Sequence, residues 1–214
     1  MTAAMSAAIL GGLVWTLALS LAALPVGIVL GAGLCAMRTS GMAWLDLLAA
    51  CLILTFRSVP PIVWLFLIFF GIGTGLFRVS PFQAAAIGLG LITAANLAEI
   101  FRGSLKAIHV GQWEAARALG MPPLWRLSDV IVPQMLRISL PSIVSYGIGL
   151  IKDTAIASTI GVPEIAFKAS HVSQTTFKGL ESFALAGALY ILISIPIAML
   201  SRWMDRRLRS RVAR

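Results

Sequence analysis

The sequence is poor in charge. Only 12% of its 214 residues are Asp, Glu, Lys or Arg, against about 25% in ordinary soluble domains. Acidic residues are the scarcer sign, 8 against 17 Lys and Arg, and the stretch from Met1 to Met37 carries no charged side chain. Too little polar surface is available to cover a soluble globule, so lipid must be the solvent for much of the chain. Cysteine is rare too. Cys35 and Cys51 lie in or beside apolar runs, and we read them as small buried hydrophobes. With two distant histidines, His109 and His171, they make no metal-ligand spacing. The phosphate-cradling pattern GxxxxGK[ST] is missing, so an ATPase, if one drives this protein, is another chain. No internal repeat, no low-complexity linker and no grouping of nucleophile, base and orienting residue is found. Covalent catalysis therefore has no candidate.

What is present is apolar: 59% of the residues, with a mean hydropathy of +0.94. About 20 apolar residues cross a bilayer core. The chain therefore reads as one all-α transmembrane domain over residues 1–214, with about five spans. The first runs from Ile9 to about Met37, is bent near Pro25, and is too long and too uncharged at its start for a signal peptide. The second runs from Trp44 to Gly71 and is interrupted at Arg57-Ser58-Val59-Pro60-Pro61, because proline removes a backbone donor and clashes with the preceding turn. Glycines over 71–75 then make a loop. The third span covers Pro81 to Phe101, the fourth Ile138 to Val162 and the fifth Phe183 to Met204. Polar segments connect them, from Arg102 to Arg137 and from Glu164 to Ser182.

Basic residues set the expected orientation. With the N-terminus outside and the C-terminus cytoplasmic, Arg38, the 102–137 segment and the tail from Arg202 onward place twelve Lys and Arg inside. Only Arg78, Lys168 and Lys178 fall outside. That bias follows the positive-inside rule. It also accounts for the net charge of +9 without nucleic acid. Trp44, Trp64, Trp125 and Trp203 are candidates for interfacial anchors.

The longest cytoplasmic connection, about residues 103–137, is patterned. Gly111 to Pro123 reads as a short helix, with Gly111 as a cap, Glu114 near its positive end, and Gly120 free to take the left-handed conformation that ends it. Ala115 and Ala116 leave one face small, so another surface can approach closely. Taken alone, the segment is either a docking element or a helix lying on the lipid headgroups.

Charges inside spans are costly and mark partners or wet cavities. Lys152 and Asp153 are neighbours about 100° apart on a helix, so they do not face each other. Arg57, Asn96, Lys152 and Asp153 are candidates for a substrate path, with Asp153 suited to an ammonium and Lys152 or Arg57 to a carboxylate. A structural ion pair is the competing reading. Glu99 and Arg102 sit at a helix end in the interface and are read as solvated or as support for the loop, not as substrate ligands. Gly147 and Gly149 would allow close helix approach, at a subunit interface or in ordinary packing.

A resemblance adds to this reading. Glu114-Ala115-Ala116, three residues, Gly120, nine residues, then Val130-Ile131-Val132-Pro133 resembles the cytoplasmic-loop signature of ATP-binding cassette (ABC) importer permeases. Val130 and Val132 stand where that family has Ile and Leu. The stretches Arg57–Pro60, Ala98–Gly103, Pro133–Arg137 and Leu150–Ser158 are similar to the polar amino acid group, the histidine/glutamine/arginine type. The resemblance implies a permease subunit of the bacterial cytoplasmic (inner) membrane. It implies no cofactor on this chain, with ATP and Mg held by a dimer of partner ATPase subunits. It also implies a second permease subunit, identical or paralogous, an extracytoplasmic substrate-binding protein, and a polar amino acid as cargo. Glu114, Ala115, Ala116, Gly120 and Pro133 would then couple to the ATPase. Two rivals need no ATPase: an ion-coupled secondary transporter using Asp153 and Glu99, and a non-transporting assembly subunit anchored by its basic tail.

Overall fold

A computed structural model describes residues 3–72 and 78–212. The described residues form helices and no strand. A short helix α1 (Ala3–Leu10) leads into α2 (Gly12–Arg38). Together they make one apolar rod that continues through Pro25 without a break in the helix. The second span is broken where the prolines fall. Helix α3 (Ala43–Ser58) ends at the extended pair Val59-Pro60, and α4 (Pro61–Phe66) departs at 101°. Pro61 stands at the first helical position, where its missing N–H costs nothing. Helix α4 widens into a π-helical turn at Leu67–Ile72, which takes in Gly71. The rest of the expected glycine loop, residues 73–75, lies outside the described residues.

Helix α5 (Pro81–Lys106) is the axis of the fold. Ser80 and Gln83 close a reciprocal capping box at its start. Its buried face is mostly small, including Ala84, Ala85, Gly88, Ala94, Ala95 and Ala98. Small faces let backbones approach, which is how helices associate when lipid removes the hydrophobic drive between them. Helix α2 crosses α5 at Gly27 and Gly31. A Cβ added at Gly27 would lie 2.2 Å from Cγ2 of Thr93, and one at Gly31 would lie 2.8 Å from the Ala94 carbonyl oxygen. Helices α3, α4 and α8 also pack on α5.

After α5 comes α6 (Val110–Ala118), then α7 (Pro123–Trp125), a π-helical turn at Arg126–Ile131, and α8 (Val132–Asp153). The last three, with a 3-10 turn at Thr154–Ile160, form one rod from Pro123 to Ile160. The fourth span therefore begins well before Ile138. Only about residues 107–122 lie between long helices, because α5 also continues past Phe101 to Lys106. The sequence hid this because the first turns of the rod carry Arg126, Asp129 and Arg137, which read as loop.

A second difference concerns residues 164–182, expected as a polar loop. Glu164 is the N-cap of a helix α9 (Ile165–Thr176), whose buried residues Ile165, Ala169 and Val172 pack on α1, α2 and α10. The last helix, α10 (Gly179–Val212), runs beyond both ends of the expected fifth span. In all, four described helical rods are long and apolar enough to cross a membrane, and the bent α3–α4 pair allows a fifth.

Candidate functional site

One end of the bundle, where α6 sits, draws together several residues singled out by sequence. The Nδ1 of His109 accepts from the Gly111 N–H at 3.1 Å and caps α6, so the expected Gly111 cap is replaced by the residue two before it. Histidine is not a preferred cap, and the sequence held no signal for it. The other end is as expected: Gly120 has φ +68°. The Gly120 N–H donates to the Arg117 carbonyl at 2.9 Å and the Met121 N–H to the Ala116 carbonyl at 3.1 Å. That crossed pair is a Schellman motif, which satisfies carbonyls the helix would otherwise leave open.

The two alanines of the motif face opposite ways. Ala116 is buried at 3% exposure, whereas Ala115 and Glu114 are exposed. The inner side of α6 joins a cluster with Trp113, Ile108, Phe101, Ile131 and Met135. Gln134 Nε2 donates to Gln112 Oε1 at 3.0 Å, tying α6 to α8. Just past α6 and in α7, large apolar side chains are bare: Leu119 and Leu124 are each 78% exposed. Pro133 follows the π-helical turn. The Val132 N–H bonds the Leu127 carbonyl five residues back, so the helix has already widened where the proline ring would clash. Glu99 and Arg102 pair nearby, Nη2 to Oε2 at 2.5 Å, with Nε at 3.1 and 3.2 Å from the two carboxylate oxygens.

The remaining candidates lie on α5, on α8 and at the end of α3. Asn96 Nδ2 donates to the Ile92 carbonyl at 2.9 Å, one turn along from Thr93, which is 3.4 Å from the Tyr146 hydroxyl. Asp153 is half-buried in the last turn of α8, and Lys152 is exposed and lines a groove of about 460 Å³ against α10, with Tyr190 and Ser194. Neither forms an ion pair among the described residues. Arg57 ends α3 beside the α3–α4 break and is exposed. Gly147 and Gly149 meet no atom within 4 Å, so the close approach expected there does not occur within the chain. Trp44, Trp125 and Trp203 are exposed as anchors would be, whereas Trp64 stacks on Phe56 across the break, with centroids 4.6 Å apart.

One polar node escaped the sequence reading. The Glu164 side chain is fully buried. Its Oε1 accepts from the Phe167 N–H at 2.7 Å and its Oε2 from the Tyr190 hydroxyl at 2.5 Å, while Thr16 Oγ1 accepts from the Ile165 N–H at 3.3 Å. The node fastens α2, α9 and α10 together. Burial pushes the Glu164 carboxyl above its ordinary value, against the opposing pull of these hydrogen bonds. The signal that could have found it is Pro163-Glu164 before the apolar Ile165-Ala166-Phe167, a helix start.

Among the described residues no group of His, Cys, Asp and Glu could hold a metal ion.

Comparison with known proteins gives one answer at three levels. A sequence profile described as the binding-protein-dependent transport system inner membrane component matches residues 23–210. The octopine transport system permease protein OccM of Rhizobium meliloti is 36% identical, covering 94% of this chain and 88% of that protein. The arginine transport system permease protein ArtQ of Bacillus subtilis (strain 168) is 32% identical, covering 94% and 93%. A chain from the crystal structure of an amino acid ABC transporter with histidines superposes with a TM-score of 0.86 at 30% identity, covering 94% of both chains. A chain of the inward-facing MetNI methionine ABC transporter has a TM-score of 0.82 at 22% identity, which speaks for the fold alone.

Proposed function

We infer, from the premise that the chain belongs to the family of binding-protein-dependent transport system inner membrane components, that it is the membrane-spanning permease subunit of an ABC importer and that its cargo is a polar amino acid. It is a transport subunit and not an enzyme. Such a permease works with a separate ATPase and a substrate-binding component. The family and the fold favour this reading over the ion-coupled rival. The cargo class is supported by relatives that are permeases for octopine and arginine.

The observation that carries the mechanism is α6. A helix with one face locked to α8 and the other bare transmits a push from outside to the spans. In our reading Glu114, Ala115 and Gly120 present the outer face to an ATPase dimer, which holds ATP and Mg. Ala116 and Pro133 keep the inner face close to the rod that follows. Residues 107–122 lie in the cytoplasm, with the N-terminus outside and the C-terminus inside, as the distribution of Lys and Arg supports. The membrane is the bacterial inner membrane, a substrate-binding protein delivers cargo on the far side, and a second permease subunit, identical or paralogous, covers the open faces of α8 and α10. Asn96, Lys152 and Asp153 serve the substrate path on the α5–α8–α10 side. Arg57 enters it from the α3–α4 break.

The test is uptake of labelled amino acids into proteoliposomes holding this chain, its partner permease, the ATPase and the binding protein. Uptake should require ATP and the binding protein. Gly120→Val should lower uptake about tenfold or more, because a β-branched residue held at positive φ costs about 1–2 kcal/mol and opens the end of α6. Wild-type uptake and ATPase pull-down by that variant would sink the docking role of α6.

A further inference from the structure

A groove of about 730 Å³ lies where α2 and α5 end and the α7–α8 rod begins, beside α6. Its walls are mostly carbon. Ile28, Ala32 and Ala36 follow at four-residue steps down α2, and the two alanines leave a channel. Ile28 is 37% and Leu136 46% exposed, so the chain does not cover this apolar surface.

The helix-end part of the same groove carries Arg102, Lys106 and Arg126. Their bonding is unequal. Arg102 is held by Glu99. Arg126 donates through Nη2 to the Met121 carbonyl at 3.1 Å, but its Nε is buried with no partner. Lys106 is exposed and has no ion pair among the described residues. The hydroxyls of Thr39 and Ser40 also line or border this end, but they donate to the backbone carbonyls of Cys35 and Met37. An anion here would be met by Lys106 and Arg126.

An apolar channel that ends in unspent cations fits a molecule built the same way, an apolar chain with an anionic head. The bilayer supplies it. We propose that this groove binds one anionic phospholipid, with an acyl chain along Ile28, Ala32 and Ala36 and the headgroup phosphate on Lys106 and Arg126. Basic pockets between spans at the cytoplasmic side select such headgroups, by about fivefold per cation. Free phosphate would leave the channel unexplained, and an apolar peptide would leave the cations unexplained. Trp113 of α6 is one wall of the groove, so a bound lipid touches the element that we assign to coupling. The site rests on the membrane-spanning fold and not on the importer cycle.

Native mass spectrometry of the assembled complex in mild detergent, titrated with phosphatidylglycerol or phosphatidylcholine, tests it. One phosphatidylglycerol per copy of this chain should be retained, about 25-fold better than phosphatidylcholine. The double variant Lys106→Gln/Arg126→Gln should lose that preference. If it fails to assemble, Lys106→Gln alone, at an exposed position, should lower the preference about fivefold. Ala32→Trp, which fills the channel and spares the cations, should lose both lipids. Equal retention of the two lipids by the wild type would overturn the proposal. So would a preference that survives the loss of both cations, displacement of the lipid by equimolar inorganic phosphate, or a crosslinked protein segment lying in the groove.

Discussion

Helices α5 and α10 are both long and apolar, yet they are held in different ways. In the apolar window of α5, 67% of the residues are buried inside the chain; in that of α10 the share is 11%. Helix α5 is gripped by shape, with Gly27 and Gly31 of α2 laid against its Thr93 and Ala94 and no room for a methyl group. Helix α10 packs Ala186 and Leu189 against α1 and α9 and adds a few hydrogen bonds. Tyr190 donates to Glu164, and Ser201 meets the Ser145 hydroxyl at 2.8 Å and the Pro141 carbonyl at 3.0 Å. In lipid, apolar surface gains nothing by moving from tails to a neighbouring helix, so close packing and interhelical hydrogen bonds are the two attachments available. The chain relies chiefly on the first for its axis and draws on both for its outer wall. The wall keeps an open face, which suits the second permease subunit that we propose.

The sharpest way to break this contrast is to overfill the axis. Gly27→Leu should cost at least about 2 kcal/mol, because the new Cβ would lie 2.2 Å from a Thr93 carbon in a tight crossing. It should be read as lost monodisperse protein and a lowered melting temperature in detergent. A normal melt would mean that α2 is not wedged on α5.

The polar attachment should respond to pH. Burial holds the Glu164 carboxyl above its ordinary value, so the folded chain binds that proton more tightly than the unfolded one. Its stabilising contribution is full below the ordinary carboxyl value and is lost as pH rises through the folded value. The melting temperature should therefore fall as pH rises across that window, and Glu164→Gln should flatten the slope. An unchanged slope in the variant would show that the carboxyl titrates as an ordinary exposed one.

The smallest effect is expected on the open wall. Gly147→Leu has free space around it and should shift stability by no more than about 0.5 kcal/mol. Co-purification of the second permease subunit should fall. A large loss of stability in the isolated chain would place the wall's packing inside the chain after all.

Much of this was legible in the residues. Apolar runs gave the number of spans, since lipid tolerates little else, and Pro60 gave the break in the second, because a helix cannot carry its ladder through Val59-Pro60-Pro61. The end of α6 at Gly120 was legible for a similar reason: a single residue type suits the backbone there. Other features were not. The rod from Pro123 was masked by the charges of its first turns, Arg126, Asp129 and Arg137, and α9 was masked by Glu164, which reads as solvent-exposed until a tyrosine is brought to it from 26 residues away. Hydropathy records the average surroundings of a segment, whereas a buried carboxylate depends on one partner.

By itself, then, the sequence determined the class of solvent, the spans, the break at Pro60 and the glycine end of α6, because each follows from local composition or from a backbone limit of one residue. Only the tertiary structure decided that Ala116 turns inward while Ala115 faces out, that Gly27 and not Gly147 is the close crossing, and that Lys106 and Arg126 edge an apolar groove. Each of those depends on which distant helix arrives at a given face, and helices with apolar surfaces all round carry little in their own sequence to say which neighbour that will be.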